Sequence, residues 1–200
     1  MYTNTKAIEI SDHVMIVKVF DNYAGPYVHL LGLQDRATNC PDYPFWCQTL
    51  SVLLTTKRVL CISSFADTMR EQARSLGQIH NNRWSFNVDN LSFYRCAQSI
   101  AFSSELGWEQ NFEGMVKEID RLDFDIALLA AGGYGHPLIT HIARGGRSAI
   151  YCGAVLQTVF GIRGGRFDAT MADVINEHWK RPSKDETPER YTEVEGGCYW

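Results

Sequence analysis

Gly132, Gly133 and Gly135, three glycines in four positions, directly follow the apolar run IALLAA at residues 126–131. With no Cβ atoms there, main-chain N–H groups can approach a ligand closely, and a helix opening near Pro137 turns its positive end toward the same spot. The chemistry this favours is the binding of an anion, most naturally a diphosphate. Tyr134 lies inside the loop, and His136 beside it can donate or accept a proton near neutral pH. The plainer alternatives are a simple turn for the glycines and a capping or packing role for His136. The loop is not the dinucleotide fingerprint, because counting from Gly133 the third glycine falls where Leu138 stands. No Gly-Lys-Ser/Thr follows, so it is not a P-loop either, and NAD and ATP lose ground as ligands.

Further candidates sit after other apolar runs. Ser63 and Ser64 follow RVLCI at 58–62, where their hydroxyls can meet a ligand or cap the next helix. Gly153 ends the run at 148–152, and the Gln157 amide beyond it can read a base or sugar hydroxyl, or fix the local backbone as a buried amide. Arg163 and Arg166, in GIRGGRF, can pair with phosphate oxygens or remain solvated loop charges. Asp123 and Asp125 have the D-x-D spacing of many metal sites. They precede a strand rather than follow one, so they read as a solvated connector at the wrong end of a sheet.

The elements that must position these groups alternate. Strands are expected at 58–62, 91–96, 126–131 and 148–152, with 58–62 and 126–131 reading as buried apolar runs. Between them, helical spacing runs over 67–76 (Met69, Gln72, Ala73, Leu76, with Asp67 as cap), 108–122 (Phe112, Met115, Val116, Ile119, Leu122) and 137–143, the last ending at Gly145 and Gly146. This order predicts an α/β, Rossmann-like fold with a mostly parallel sheet flanked by helices. Ser63, Ser64, the glycine loop and Gly153 then share the carboxyl ends of the strands, where open α/β sheets bind ligands. Upstream, a strand is expected at 14–20 and a turn at Gly25 and Pro26. The stretch through residue 57 reads as irregular, because NCPDYPFWCQ carries two prolines among aromatics, with Tyr43, Phe45 and Trp46 as packing residues. Downstream, Asn176, Glu177 and Trp179 read as a short helix, and the closing CYW is expected to dock on the body.

Composition sets outer bounds. Two hundred residues suit one domain, 1–200, with 1–57 as its irregular part. A net charge of −4 and the lack of a long basic run argue against a nucleic-acid surface and for a small partner. The six cysteines are widely spaced with no C-x-x-C pair and read as reduced packing residues. No stretch approaches the roughly 18 apolar residues of a membrane span and no signal peptide is evident, so a cytoplasmic location without a membrane span is expected.

The segments KRVLCISSFADTMREQ, FDIALLAAGGYGHPLITHI, AIYCGAVLQTVFGIRGGRF, NEHW and VEGGCYW, in this order, resemble the GT-D type of glycosyltransferase domain over roughly residues 45–200. The resemblance implies a Rossmann-like fold, transfer of a sugar from a nucleotide-sugar donor, often UDP-linked, to a glycan acceptor, and a divalent cation (Mn or Mg). Such enzymes carry an acidic D-x-E-type element in an N-terminal section, and it is not found here; residues 1–44 hold Asp12, Asp21, Asp35 and Asp42 scattered apart. Glu177 and Glu195 are then the first candidates for a replacement base or metal ligand, against a default as surface glutamates. The expected forms are a shortened relative, part of a longer enzyme completed by another polypeptide or an oligomer, or a nucleotide-sugar-binding or scaffolding module without the metal site.

Overall fold

The computed structural model describes residues 12, 14–16, 34–39, 42–98 and 104–200. Four strands form one parallel sheet: β3 (Val59–Ser63), β4 (Leu91–Arg95), β5 (Ile126–Ala130) and β6 (Ser148–Tyr151), in the spatial order β4-β3-β5-β6. A separate parallel pair joins β1 (Val14–Ile16) to β2 (Ala37–Asn39). The expected strand continues to residue 20 in sequence, but 17–20, the Gly25–Pro26 turn, Asp21 and Cys40 lie outside the described residues.

Alternation along the two central strands builds a core on each side. Val59 and Cys61 of β3 and Ile126 and Leu128 of β5 join one cluster, while Leu60, Ile62, Ala127 and Leu129 join the other. The first cluster is closed by α1 (Tyr43–Thr56), α2 (Ala66–Ala73), the short α3 (Leu76–Ile79) and α6 (Val155–Val159). The second is closed by α4 (Trp108–Ile119) and α5 (Gly135–Arg144). Burial on both faces is why these strands read as unbroken apolar runs. A last helix, α7 (Gly165–Thr170), precedes a C-terminal stretch of turns.

Register makes the sheet flush. Val59 pairs with Leu91 and Ile126, and Ile126 with Ser148, so the four strands begin together, and β6 ends one residue before the other three. The chain passes from β3 outward to β4, then returns to the other side of β3 to form β5. That reversal leaves the carboxyl ends of β3 and β5 flanked by loops that diverge, the position where open α/β sheets bind ligands.

Three expectations about local structure are corrected. Residues 43–56 form a helix rather than an irregular lead-in. The Asp42 side chain accepts from Phe45 N at 3.2 Å, and Pro44 falls in the first turn, where its missing N–H has no helical partner to lose. Trp46, Cys47, Leu50 and Leu54 then bury one face. Residues 176–179 form turns, not a helix, because the Asn176 side chain takes the backbone's place, accepting from His178 N and donating to Gln78 O and Ile79 O.

The cap of α2 is the third correction. Asp67 turns outward to Arg70 and Arg95, and the carboxylate at the helix start belongs to Glu186, 119 residues downstream. Its oxygens accept from Asp67 N at 2.8 Å, Thr68 N at 3.2 Å and Ser183 Oγ at 3.0 Å, as well as from the Thr68 hydroxyl. Glu186 has no exposed surface at all. Its own carbonyl accepts from Trp200 Nε1 at 3.0 Å, which fixes the C-terminal aromatic on Phe65. The expected docking of the CYW segment is therefore achieved through α2.

Replacing Glu186 by Ala strips two helix-start amides and two hydroxyls of their acceptor, and should cost roughly 3 kcal/mol of stability. Asp67→Ala removes only exposed ion pairs and should cost less than about 1 kcal/mol. Urea unfolding measures both, and equal losses would contradict the assignment of Glu186 as the cap.

Candidate functional site

The loops that follow β3, β5 and β6 at the carboxyl edge are each built differently. At the end of β3 the fully buried Ser63 accepts from Phe65 N through its hydroxyl at 3.1 Å and from Cys96 N through its carbonyl, so its polar groups shape the turn. Ser64 beside it is half-buried. At the end of β6, Gly153 turns the chain at φ 59° into α6.

The loop after β5 is the glycine loop. Gly132–Tyr134 form a single 3-10 turn that runs straight into α5, whose first residue is Gly135 and whose start carries no side-chain cap. The three glycines are there for different reasons. Gly132 has φ 49°, a left-handed conformation that side chains resist. Gly135 lies under the Tyr151 ring, and a Cβ would fall 2.2 Å from Tyr151 Cε2. Gly133 has neither constraint: its φ is not positive, it is exposed, and nothing stands within 4 Å of a Cβ built on it. Folding requires the first two glycines but not the third.

His136, in the first turn of α5, packs against Tyr151 with ring centroids 4.6 Å apart and planes tilted by 38°. Burial pushes the imidazole below its usual range, so it is neutral at pH 7 and able to accept a proton. Burial pushes the Tyr151 phenol up, with the Tyr199 phenol adding to the effect. Tyr134 turns away from the loop opening. It is buried, its ring is stacked on Trp108 at 5.3 Å, and its hydroxyl accepts from Asn111 Nδ2.

The remaining candidates divide. Arg166 pairs with Glu195 Oε2 at 2.5 Å and lies 4.7 Å over the Tyr199 ring, while the Tyr199 hydroxyl also reaches Glu195. Arg163 binds Asp168, which it shares with Arg181; these guanidiniums hold the Asp168 carboxyl below its ordinary range. Gln157 is buried, and its amide nitrogen donates to Tyr199 O at 2.7 Å and Arg163 O at 3.3 Å. Its Oε1 is buried without a partner among the described residues. Glu177 stands apart, its side chain 84% exposed on the turn that Asn176 ties to α3. Asp123 and Asp125 lie at the opposite, amino edge as expected, both clamped on Arg58, which draws the Asp125 carboxyl down to about 2.

Among the described residues no three His, Cys, Asp or Glu side chains converge as metal ligands do. The side chains around the edge, among the described residues, supply no ligand set for the divalent cation that the resemblance implies. Sequence reasoning passed over Tyr151, Tyr199, Asp168, Arg181 and Glu186. Only Tyr151 carried a usable signal, as the last residue of a strand ending at a ligand-binding edge.

One cysteine and histidine pair could be mistaken for a nucleophile and its base. Cys47 Sγ lies 3.8 Å from His80 Nδ1, but that nitrogen already faces the Tyr43 hydroxyl at 2.6 Å. His80 Nε2 must donate to Val159 O at 2.9 Å, so Nδ1 is the acceptor and Tyr43 the donor. Burial raises the Cys47 thiol to about 12 and lowers His80 to about 4. A neutral thiol beside a neutral imidazole is a packing network.

The His80 shift has a measurable consequence. The unfolded chain takes up this proton near pH 6.5 and the folded chain only near 4, so stability is full above 6.5 and falls as the pH drops through that window. The loss attributable to His80 should reach about 3 kcal/mol. Urea unfolding from pH 7.5 to 4 should show a steeper decline in the wild type than in His80→Gln, and parallel declines would refute the assignment. On the glycine loop, Gly135→Ala should cost about 2 kcal/mol by displacing Tyr151. Gly133→Ala should stay within about 0.5 kcal/mol of wild type in the same assay.

Searches against family models, curated proteins and solved structures found no match to this chain.

Proposed function

We propose that the chain is a glycosyltransferase-like domain that binds a nucleotide-sugar donor, UDP-linked, at the carboxyl edge of its sheet. The observation that carries the reading is Gly133, an exposed glycine that neither backbone conformation nor packing requires, beside a helix start with no side-chain cap. A diphosphate seated there would receive main-chain N–H groups and the positive end of α5. His136, neutral and half-buried in the first turn of α5, is the proton acceptor assigned to an incoming hydroxyl.

A second reading, donor binding without transfer, is favoured by the state of the carboxylates. Glu186 caps α2, Glu195 holds Arg166, and Asp67 holds Arg70 and Arg95, so each is engaged in the fold. Calorimetry with UDP-glucose should give at least tenfold weaker binding to Gly133→Val than to wild type, with the melting temperature unchanged. Equal affinities would remove the glycine loop from the site. Transfer and donor hydrolysis, assayed with manganese and then with chelator, separate the two readings: turnover supports the transferase, and binding with no turnover supports the module.

A further inference from the structure

We propose that a cavity between α7 and the C-terminal stretch is a second ligand site, one that takes a pyranose carrying an acidic group. The cavity measures about 660 Å³, within the range that holds small ligands, and its lining contains none of the glycine-loop residues. Arg166 and Arg181 stand on its wall with Thr187, Tyr191, Thr192 and Trp200.

The arginines argue for the acidic group. Arg181 donates to Trp200 O at 2.9 Å and to Asp168, and Arg166 donates to Glu195. A guanidinium carries five N–H donors, so both retain donors beyond these bonds, and their side chains are 48% and 43% exposed. Each of these two arginines is paired with one carboxylate, Arg166 with Glu195 and Arg181 with Asp168, so what the wall offers a ligand is the guanidinium N–H groups left over from those pairs. A carboxylate or phosphate entering the cavity can take those donors, and guanidinium geometry matches either group in bidentate fashion.

The rest of the wall suits a sugar ring. The half-buried Tyr191 meets the buried Trp200 at 5.7 Å, the Thr192 hydroxyl stands on an exposed residue, and the Thr187 hydroxyl, which donates to Ser183 O at 3.0 Å, can still accept. The rim is an unusual piece of backbone: Glu195, Gly196 and Gly197 are consecutively left-handed, at φ 47°, 64° and 74°. A Cβ at Gly197 would meet Tyr191 at 2.7 Å, so this glycine lets the turn lie against the aromatic wall. Glu195 has a side chain in that conformation, a strained state offset by bonds from Arg166 and the Tyr199 hydroxyl. The strained turn thereby fixes Arg166 at the cavity. The identity of the ring as a sugar rests on the glycosyl-transfer reading, whereas the acidic group is argued from the arginines alone.

Isothermal titration with glucose 1-phosphate, glucuronate, glucose and inorganic phosphate tests the site. One of the two acidic sugars should bind at least tenfold more tightly than glucose or phosphate, and whichever binds better identifies the acid as phosphate or carboxylate. Arg181→Ala should weaken that binding at least tenfold. Because Arg181 also braces Asp168 and Trp200, Thr192→Tyr provides a second variant: it fills the cavity from an exposed position and should lose binding at an unchanged melting temperature. UDP binding to Thr192→Tyr should equal wild type, so a chain that binds the acidic sugar but not UDP would lose the donor reading and keep this one. Absence of acidic-sugar binding, equal affinity for glucose, unchanged binding by Thr192→Tyr, or loss of UDP binding in that variant would each overturn the proposal.

Discussion

Glu186 ties the C-terminal stretch to the sheet. A carboxylate removed from water must regain in hydrogen bonds what it loses in hydration, and here two amides and two hydroxyls converge on its oxygens at the start of α2. The same network anchors the neighbouring segments. Trp200 reaches the Glu186 carbonyl, Gly165 N and Arg181 reach the Trp200 carbonyl, and Gln157 reaches the Tyr199 carbonyl, so α6, α7 and the terminal aromatics are held by one connected set of contacts. The close approach at Gly164, where a Cβ would lie 2.8 Å from Tyr199 O, belongs to the same seam.

This arrangement changes how the carboxyl edge works. In an open α/β sheet the first strand-to-helix turn is a natural anion seat, yet here the chain's own carboxylate occupies it. The second turn, between β5 and α5, has no side-chain cap. Any anion binding at this edge is thus displaced by one strand, toward Gly133, His136 and Tyr151.

Buried polar groups in this fold follow two regimes. Around His80, burial is satisfied by neutral groups in a donor chain from Tyr43 through the imidazole to Val159 O, and ionisation is suppressed. Around Asp168 and Glu195 the charges stay paired and partly solvated, which keeps guanidinium N–H groups accessible at the surface. The first regime rigidifies the packing of α1, α3 and α6. The second leaves cationic side chains where a ligand can use them.

By itself the sequence determined the parallel α/β core. Short apolar runs bounded by glycine and serine read as strands, the two central ones buried on both faces, and the spacing of Phe112, Met115 and Ile119 marks a helix lying on them. It also determined which candidates share the carboxyl edge, because Ser63, Ser64, the glycine loop and Gly153 each follow a strand directly. Local rules misread α1, since two prolines look like breakers until Asp42 is seen to start a helix with Pro44 in its first turn. Tertiary structure alone decided the rest. That Glu186 rather than Asp67 caps α2, that Tyr151 covers Gly135, and that Arg166 meets Glu195 are contacts between residues 16 to 119 positions apart. No periodicity or local motif encodes such pairings, because each depends on which groups the packed layers bring together.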